Sequence, residues 1–212
     1  MAFMNLPWPT ECLHAALKNG SLPFWGFVIY RTTYTAQSDA AWPQIIELIA
    51  SYMKALLYHE YNDKKKDGDE PTVYDEIWAR HQLTIMDDRQ FNGASVFDIQ
   101  LHFEKWVEAQ GKRDESTMYR MCMVIDDESI QTLLEAPPGE NRKLGRRIGG
   151  PVRFVKVVEA FPELDSLDEF QGWMKCEINA LWPLWKMMSD GDEMRMSYDE
   201  MKGNGKQVYG AI

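Results

Sequence analysis

The sequence predicts an α+β domain: a two-layer, ferredoxin-like sandwich first, with a three-layer α/β fold on a mixed sheet as the alternative. Three observations carry that prediction. Five short segments read as strands, amphipathic helical stripes separate most of them, and the order β-α-β-α-β-(α)-β-β-α brings few helices to a small sheet. A chain of 212 residues fits one domain. At that size roughly 70% of the unfolded surface can be buried without disulfides. The expected organisation is a leader segment over 1–22, a single domain over 23–188 and a polar tail over 189–212.

Each element has a local reason. In the leader, Thr10 is a candidate N-cap for a short helix to Lys18, which "KNGSLP" ends. The first strand lies in "FWGFVIYRTTY", with Phe27 and Ile29 on one face and Val28 and Tyr30 on the other. Two apolar faces mark a central strand. A long helix follows with Trp42, Ile45, Ile49, Tyr52, Met53 and Leu56 in helical register. Pro43 is tolerated in a first turn, so the helix is expected to begin near Ala40. "NDKKKDGDEP" reads as a solvated loop, "YDEIWAR" as one helical turn and "HQLTIMD" as the second strand.

"DDRQFNGAS" is a turn, and Ser95 with Asp98 forms a capping box for a helix through Ala109. Its stripe is Val96, Ile99, Phe103 and Trp106. "YRMCMVID" is the third strand, and "DESIQTLLEA" a short helix capped by Asp126 or Asp127. "VRFVKVVE" and "WMKCEI" are the fourth and fifth strands, "ALWPLWKMM" is the last helix, and "EMRMSY" is a candidate edge strand. Between the short helix and the fourth strand lies a turn-rich loop bearing Arg142, Lys143, Arg146 and Arg147.

Composition excludes some functions. A net charge of −10 opposes nucleic acid and anionic membrane surfaces as partners. Cys12, Cys122 and Cys176 lack the spacing of a disulfide framework or a zinc site. No signal peptide and no membrane-length apolar run is evident, so a cytoplasmic location is expected. There is no GxGxxG, P-loop, HExxH, GxSxG or deaminase motif, and neither a cofactor nor a metal is predicted. Eight Trp and 13 Met furnish either an ordinary core or a pliable apolar pocket.

The candidate chemistry sits at strand ends. If the first three strands are parallel, Arg31, Asp87 and Asp126 share one edge, where α/β sheets usually bind ligands. An Arg beside carboxylates could orient an acidic or carbonyl substrate, with one Asp as general acid or base. Tyr30, Tyr34, His102 and Trp106 are the candidate ligand contacts, and His102 lies four residues after Asp98. The same residues have structural uses, because Asp caps helices and turns and a buried Arg needs an acidic partner.

"WGFVIYRTTY", "DAAW", "LTIMDDRQFNGASVFDIQLHFEKW", "MCMVIDDESIQTLL" and "GWMKCEI" together resemble a large uncharacterised family of intracellular filamentous-fungal proteins. The matching residues are Gly26 to Arg31, Tyr34, Trp42, Gly93 to Ser95, Phe103, Trp106, Asp126 and Trp173, within residues 24–185. "IDDES" stands where the family pattern has "VDE". The resemblance implies a fungal origin and one α+β domain, and brings no activity. Two functions are carried forward. One is binding of an apolar small molecule, with or without cofactor-free cyclase, isomerase or decarboxylase chemistry in fungal specialised metabolism. The other is a non-catalytic interaction or regulatory module; a homodimer suits either.

Overall fold

The computed structural model describes residues 6–66, 68–113, 115–135, 152–164 and 169–210. Its centre is one mixed five-stranded sheet of β1 (Val28–Arg31), β2 (Thr84–Met86), β3 (Met121–Ile125), β4 (Phe154–Glu159) and β5 (Trp173–Glu177), ordered β2-β1-β3-β4-β5. β1 pairs in parallel with both β2 and β3, and the last two pairings are antiparallel. The three parallel strands therefore end on one edge, as their helical crossovers require.

Among the described residues the helices are α1 (Trp8–Asn19), α2 (Ala36–Lys64), α3 (Thr72–Trp78), α4 (Val96–Ala109), α5 (Thr117–Arg120), α6 (Asp127–Leu134), α7 (Leu181–Ser189) and α8 (Met194–Gly203). They cover both sheet faces. Phe27, Ile29, Met121 and Met123 pack with α1, α2, α3, α6 and α7, while Val28, Tyr30, Cys122 and Val124 pack with α4 and α5. The expected two-layer ferredoxin-like sandwich thus gives way to the three-layer alternative. From β1 the chain moves one way across the sheet to β2, then back past β1 to β3. Reversing that direction reverses the face on which a right-handed crossover packs.

Several boundaries differ from the sequence expectation. α2 begins at Ala36 because Thr35 and Ser38 form a capping box, with Ser38 N donating to Thr35 Oγ1 at 3.1 Å and Thr35 N to Ser38 Oγ at 2.8 Å. Pro43 consequently lies inside the helix. α1 starts at Trp8, and Thr10 caps nothing; its hydroxyl donates to Glu60 at 2.5 Å. Within the expected polar tail, α8 stands where an edge strand was expected and buries Met194 and Met201. Beyond it, Tyr209 N donates to Lys175 O at 2.8 Å and Glu177 N to Tyr209 O at 2.9 Å, extending the β5 edge. The basic loop at 142–147 lies outside the described residues.

One glycine is dictated by a close approach. Gly26, with φ of 145°, precedes β1, and a Cβ there would stand 2.1 Å from the Gln82 carbonyl oxygen. Backbone bonds join the two leads, Trp25 N to Arg80 O at 3.1 Å and Gln82 N to Trp25 O at 2.8 Å. Only a residue without a Cβ lets the chains meet there.

Candidate functional site

The predicted edge exists, and its arginine is fully occupied. Arg31, 5% exposed, pairs with Asp39 and lies 3.6 Å from Asp87. Its Nη2 also donates to Ser38 Oγ at 3.1 Å and its Nε to Thr33 O at 3.0 Å. The guanidinium stands over the Tyr34 ring at 4.5 Å and the Trp42 ring at 4.9 Å. Burial, and then the Asp87 carboxylate, push the Tyr34 phenol up to about 12. Arg31, Asp87 and Tyr34 are therefore brought together, with Arg31 clasped by the start of α2.

Asp126 belongs to a neighbouring cluster. It is the N-cap of α6, accepting from Ser129 N at 3.0 Å and Ser129 Oγ at 2.9 Å, and it pairs with Lys156. Burial works against its ionisation, but the Lys156 and Ser129 bonds prevail and hold its pKa below the ordinary value. Lys156 also lies 3.6 Å from Glu128, which Lys175 reaches at 2.5 Å. Asp88 caps a 3-10 turn through Gln90 N at 2.9 Å.

The remaining candidates lie on the opposite face, since alternation along β1 turns Tyr30 away from Arg31. The Tyr30 hydroxyl is 2.9 Å from His102 Nδ1, and burial drives this phenol far up. Asp98, four residues before His102, accepts from Ser95 N at 3.0 Å within its capping box. Trp106 stacks against Phe103 at 5.9 Å and Tyr119 at 5.7 Å. These are packing contacts of the α4 layer.

Two features escaped the sequence. Glu60, buried on α2, accepts from Thr10 Oγ1, from Tyr74 Oη at 3.3 Å and from Trp182 Nε1 at 3.1 Å, and pairs with Lys186. It ties α2 to α1, α3 and α7. Nothing in "YHEY" announces a carboxylate with partners from three distant helices.

The second feature is a groove of about 830 Å³ at the opposite end of the parallel strands, where α5 leads into β3. α1, the α5 turn and the end of α7 wall it. Its apolar lining includes Trp8, Pro9, Leu13, Leu22, Trp185 and Met188. Three wall residues carry buried polar atoms with no protein partner: Ser116 Oγ, Thr117 Oγ1 and Trp185 Nε1. Arg120 also lines it, but its terminal nitrogens donate to Met188 O and, at 3.0 Å, to Asp192 O. Burial, then Asp190 and Glu11, raise the Cys12 thiol at the rim, so it is a poor nucleophile. The aromatic wealth of residues 8 and 182–185 was the available signal; what it lacked was any hint that 8–22, 115–120 and 185–191 meet.

Among the described residues no group of three or more His, Cys, Asp or Glu is arranged to hold a metal ion. No described helix is long and apolar enough to cross a membrane. Compared with known proteins, the chain matches no family model, no curated protein and no solved structure.

Proposed function

We propose that the protein binds a small molecule non-covalently in the groove between α1, α5 and α7. The observation that carries this reading is a groove of about 830 Å³ with an apolar lining, walled by three elements from distant parts of the chain. A volume of this order suits a small ligand, and a concave, largely apolar wall is the general character of such sites. The site has moved from the notion of a strand-edge arginine: Arg31 is saturated by its own chain. The ligand proposed is one from fungal specialised metabolism, which agrees with the fungal origin implied by the resemblance. Cofactor-free catalysis on that ligand remains part of the proposal, with no nucleophile assigned.

Native mass spectrometry on protein gently purified from its own organism, beside a denatured control, tests this. The expected result is a non-covalent mass excess that denaturation releases and that Ala16→Phe, which fills the groove, eliminates. A bare mass overturns the reading. The second reading, an interaction module or homodimer, is favoured by Phe97 and Leu101, 64% and 39% exposed one turn apart on α4. Under it the spectrum carries a second chain instead.

A further inference from the structure

We infer that the outer flank of β5 is a docking site for an extended, acidic segment of a partner protein, which adds to the sheet as a strand in the wedge between β5 and α8. Alternate residues of β5 bond to β4. Glu159 N donates to Gly172 O at 2.8 Å and Ile178 N to Arg153 O at 3.0 Å, so the main-chain groups of Trp173, Lys175 and Glu177 face outward. Tyr209 takes Lys175 O and Glu177 N in a parallel bridge opposite Cys176. Two residues earlier in that lane Gln207 would stand opposite Met174, but among the described residues it makes neither matching bond. The cause is local. Gly205, at φ of 69°, donates through its N to Lys202 O at 2.8 Å, and Lys206 N donates to Met201 O at 3.0 Å. This pair of bonds closes a helix C-terminus and holds the chain to α8. Trp173 N, Trp173 O and Lys175 N are left without a bond among the described residues.

The space left is a wedge of about 450 Å³, and the two residues that bear the free groups, Trp173 and Lys175, are half-buried and line it. A strand laid there turns its residue opposite Met174 toward Met174, Tyr198 and Met201, and its flanking residues toward Trp173 and Lys175, because cross-strand neighbours share a face. Charge selects the segment. Lys175, Lys202 and Lys206 line the wedge with one carboxylate, Glu169, on a chain of net charge −10. Lys202 meets Glu169 at 3.2 Å and Lys175 meets Glu128 at 2.5 Å, while Lys206 pairs with no carboxylate among the described residues. Alternating Glu and Val offers carboxylates to the lysines and a β-branched apolar side chain to Met174, on a backbone that pairs readily. The wedge shares no lining residue with the groove, so either site can exist without the other.

Fluorescence anisotropy with fluorescein-labelled Glu-Val-Glu-Val-Glu-amide, at pH 7 and low salt, tests it. The comparison peptides are the same chain N-methylated at both valines, and Lys-Val-Lys-Val-Lys-amide. The acidic peptide is expected to bind at least about tenfold tighter than either. N-methylation removes the donor to Trp173 O and leaves the charge unchanged, so this comparison needs no altered protein. Lys206→Glu should weaken the acidic peptide about fivefold at an unchanged melting temperature. In the saturated complex, amide exchange should slow at Lys175 for a parallel strand or at Trp173 for an antiparallel one. Equal binding of the N-methylated peptide overturns strand addition. Equal binding of the lysine peptide, or an unchanged affinity in Lys206→Glu, overturns the acidic partner. No anisotropy change up to about 1 mM acidic peptide overturns both.

Discussion

Glu159 is a side chain whose surroundings decide its charge. It ends β4 on the groove side of the sheet and is buried, with Oε1 accepting from Met194 N at 3.2 Å. Burial raises its pKa; the Met194 N–H, Arg120 and Arg195 pull it down, Glu193 pushes it up, and the outcome is about 7 against an ordinary 4.5. The folded state therefore holds a proton between those pH values that the unfolded state releases. Stability from this group is full below pH 4.5 and is lost as the pH rises to 7, by about 3 kcal/mol. Glu159→Gln cannot ionise and keeps an acceptor for Met194. Its stability relative to wild type should increase by about that amount between pH 4.5 and pH 8, read as the shift in urea midpoints. A gap that does not change with pH would remove the carboxylate from this role. His81 has the opposite sign: burial lowers its pKa to about 4, so folding loses stability as the pH falls below 6.5.

Among the elements, the helices of the larger layer are held at one carboxylate as well as by their apolar stripes. Glu60 gathers donors from α1, α3 and α7, and the Trp182 ring it bonds stacks on Trp185 at 5.5 Å, while Trp25 lies 5.3 Å from Trp182. Removing one partner of a buried, multiply bonded charge costs about 3–5 kcal/mol, because the donors left behind have lost their water. Glu60→Ala should cost that amount in chemical denaturation, and protection of α1 amides from hydrogen exchange should fall further than that of α4 amides. Equal loss in both helices would mean that Glu60 supports the whole fold and not the α1 junction. The same logic shows why helix patterns were legible and this hub was not. Ile45, Ile49 and Met53 keep a period that needs no knowledge of neighbours, whereas the value of Glu60 depends on residues 50 before it and 126 after it.

At the scale of the molecule, the two edges of the sheet have divided their tasks. One edge is closed by Arg31, Asp39, Asp87, Asp126 and Lys156. The other holds the groove. Arg31→Met should therefore destabilise the protein by about 3 kcal/mol, the lower end for a broken buried pair, because Asp39 remains 41% exposed and can be hydrated. The non-covalent mass excess should stay within about twofold of wild type in the surviving folded fraction. Coupled loss of binding and stability at subdenaturing conditions would return Arg31 to the site.

From the sequence alone came the α+β class, the central position of β1, the capping box at Ser95 and an aspartate cap for α6, left between Asp126 and Asp127. All depend on residues within a few positions of one another or on alternation along one segment. Tertiary structure alone decided that both faces are covered, that α1 and α8 bury residues in the core, and that the groove lies opposite the charged edge. It also decided what each polar residue meets, giving Arg31 to Asp39, His102 to Tyr30 and Thr10 to Glu60. Periodicity fixes which way a side chain points from its own element, but a partner is set by how distant elements cross, which no local pattern encodes.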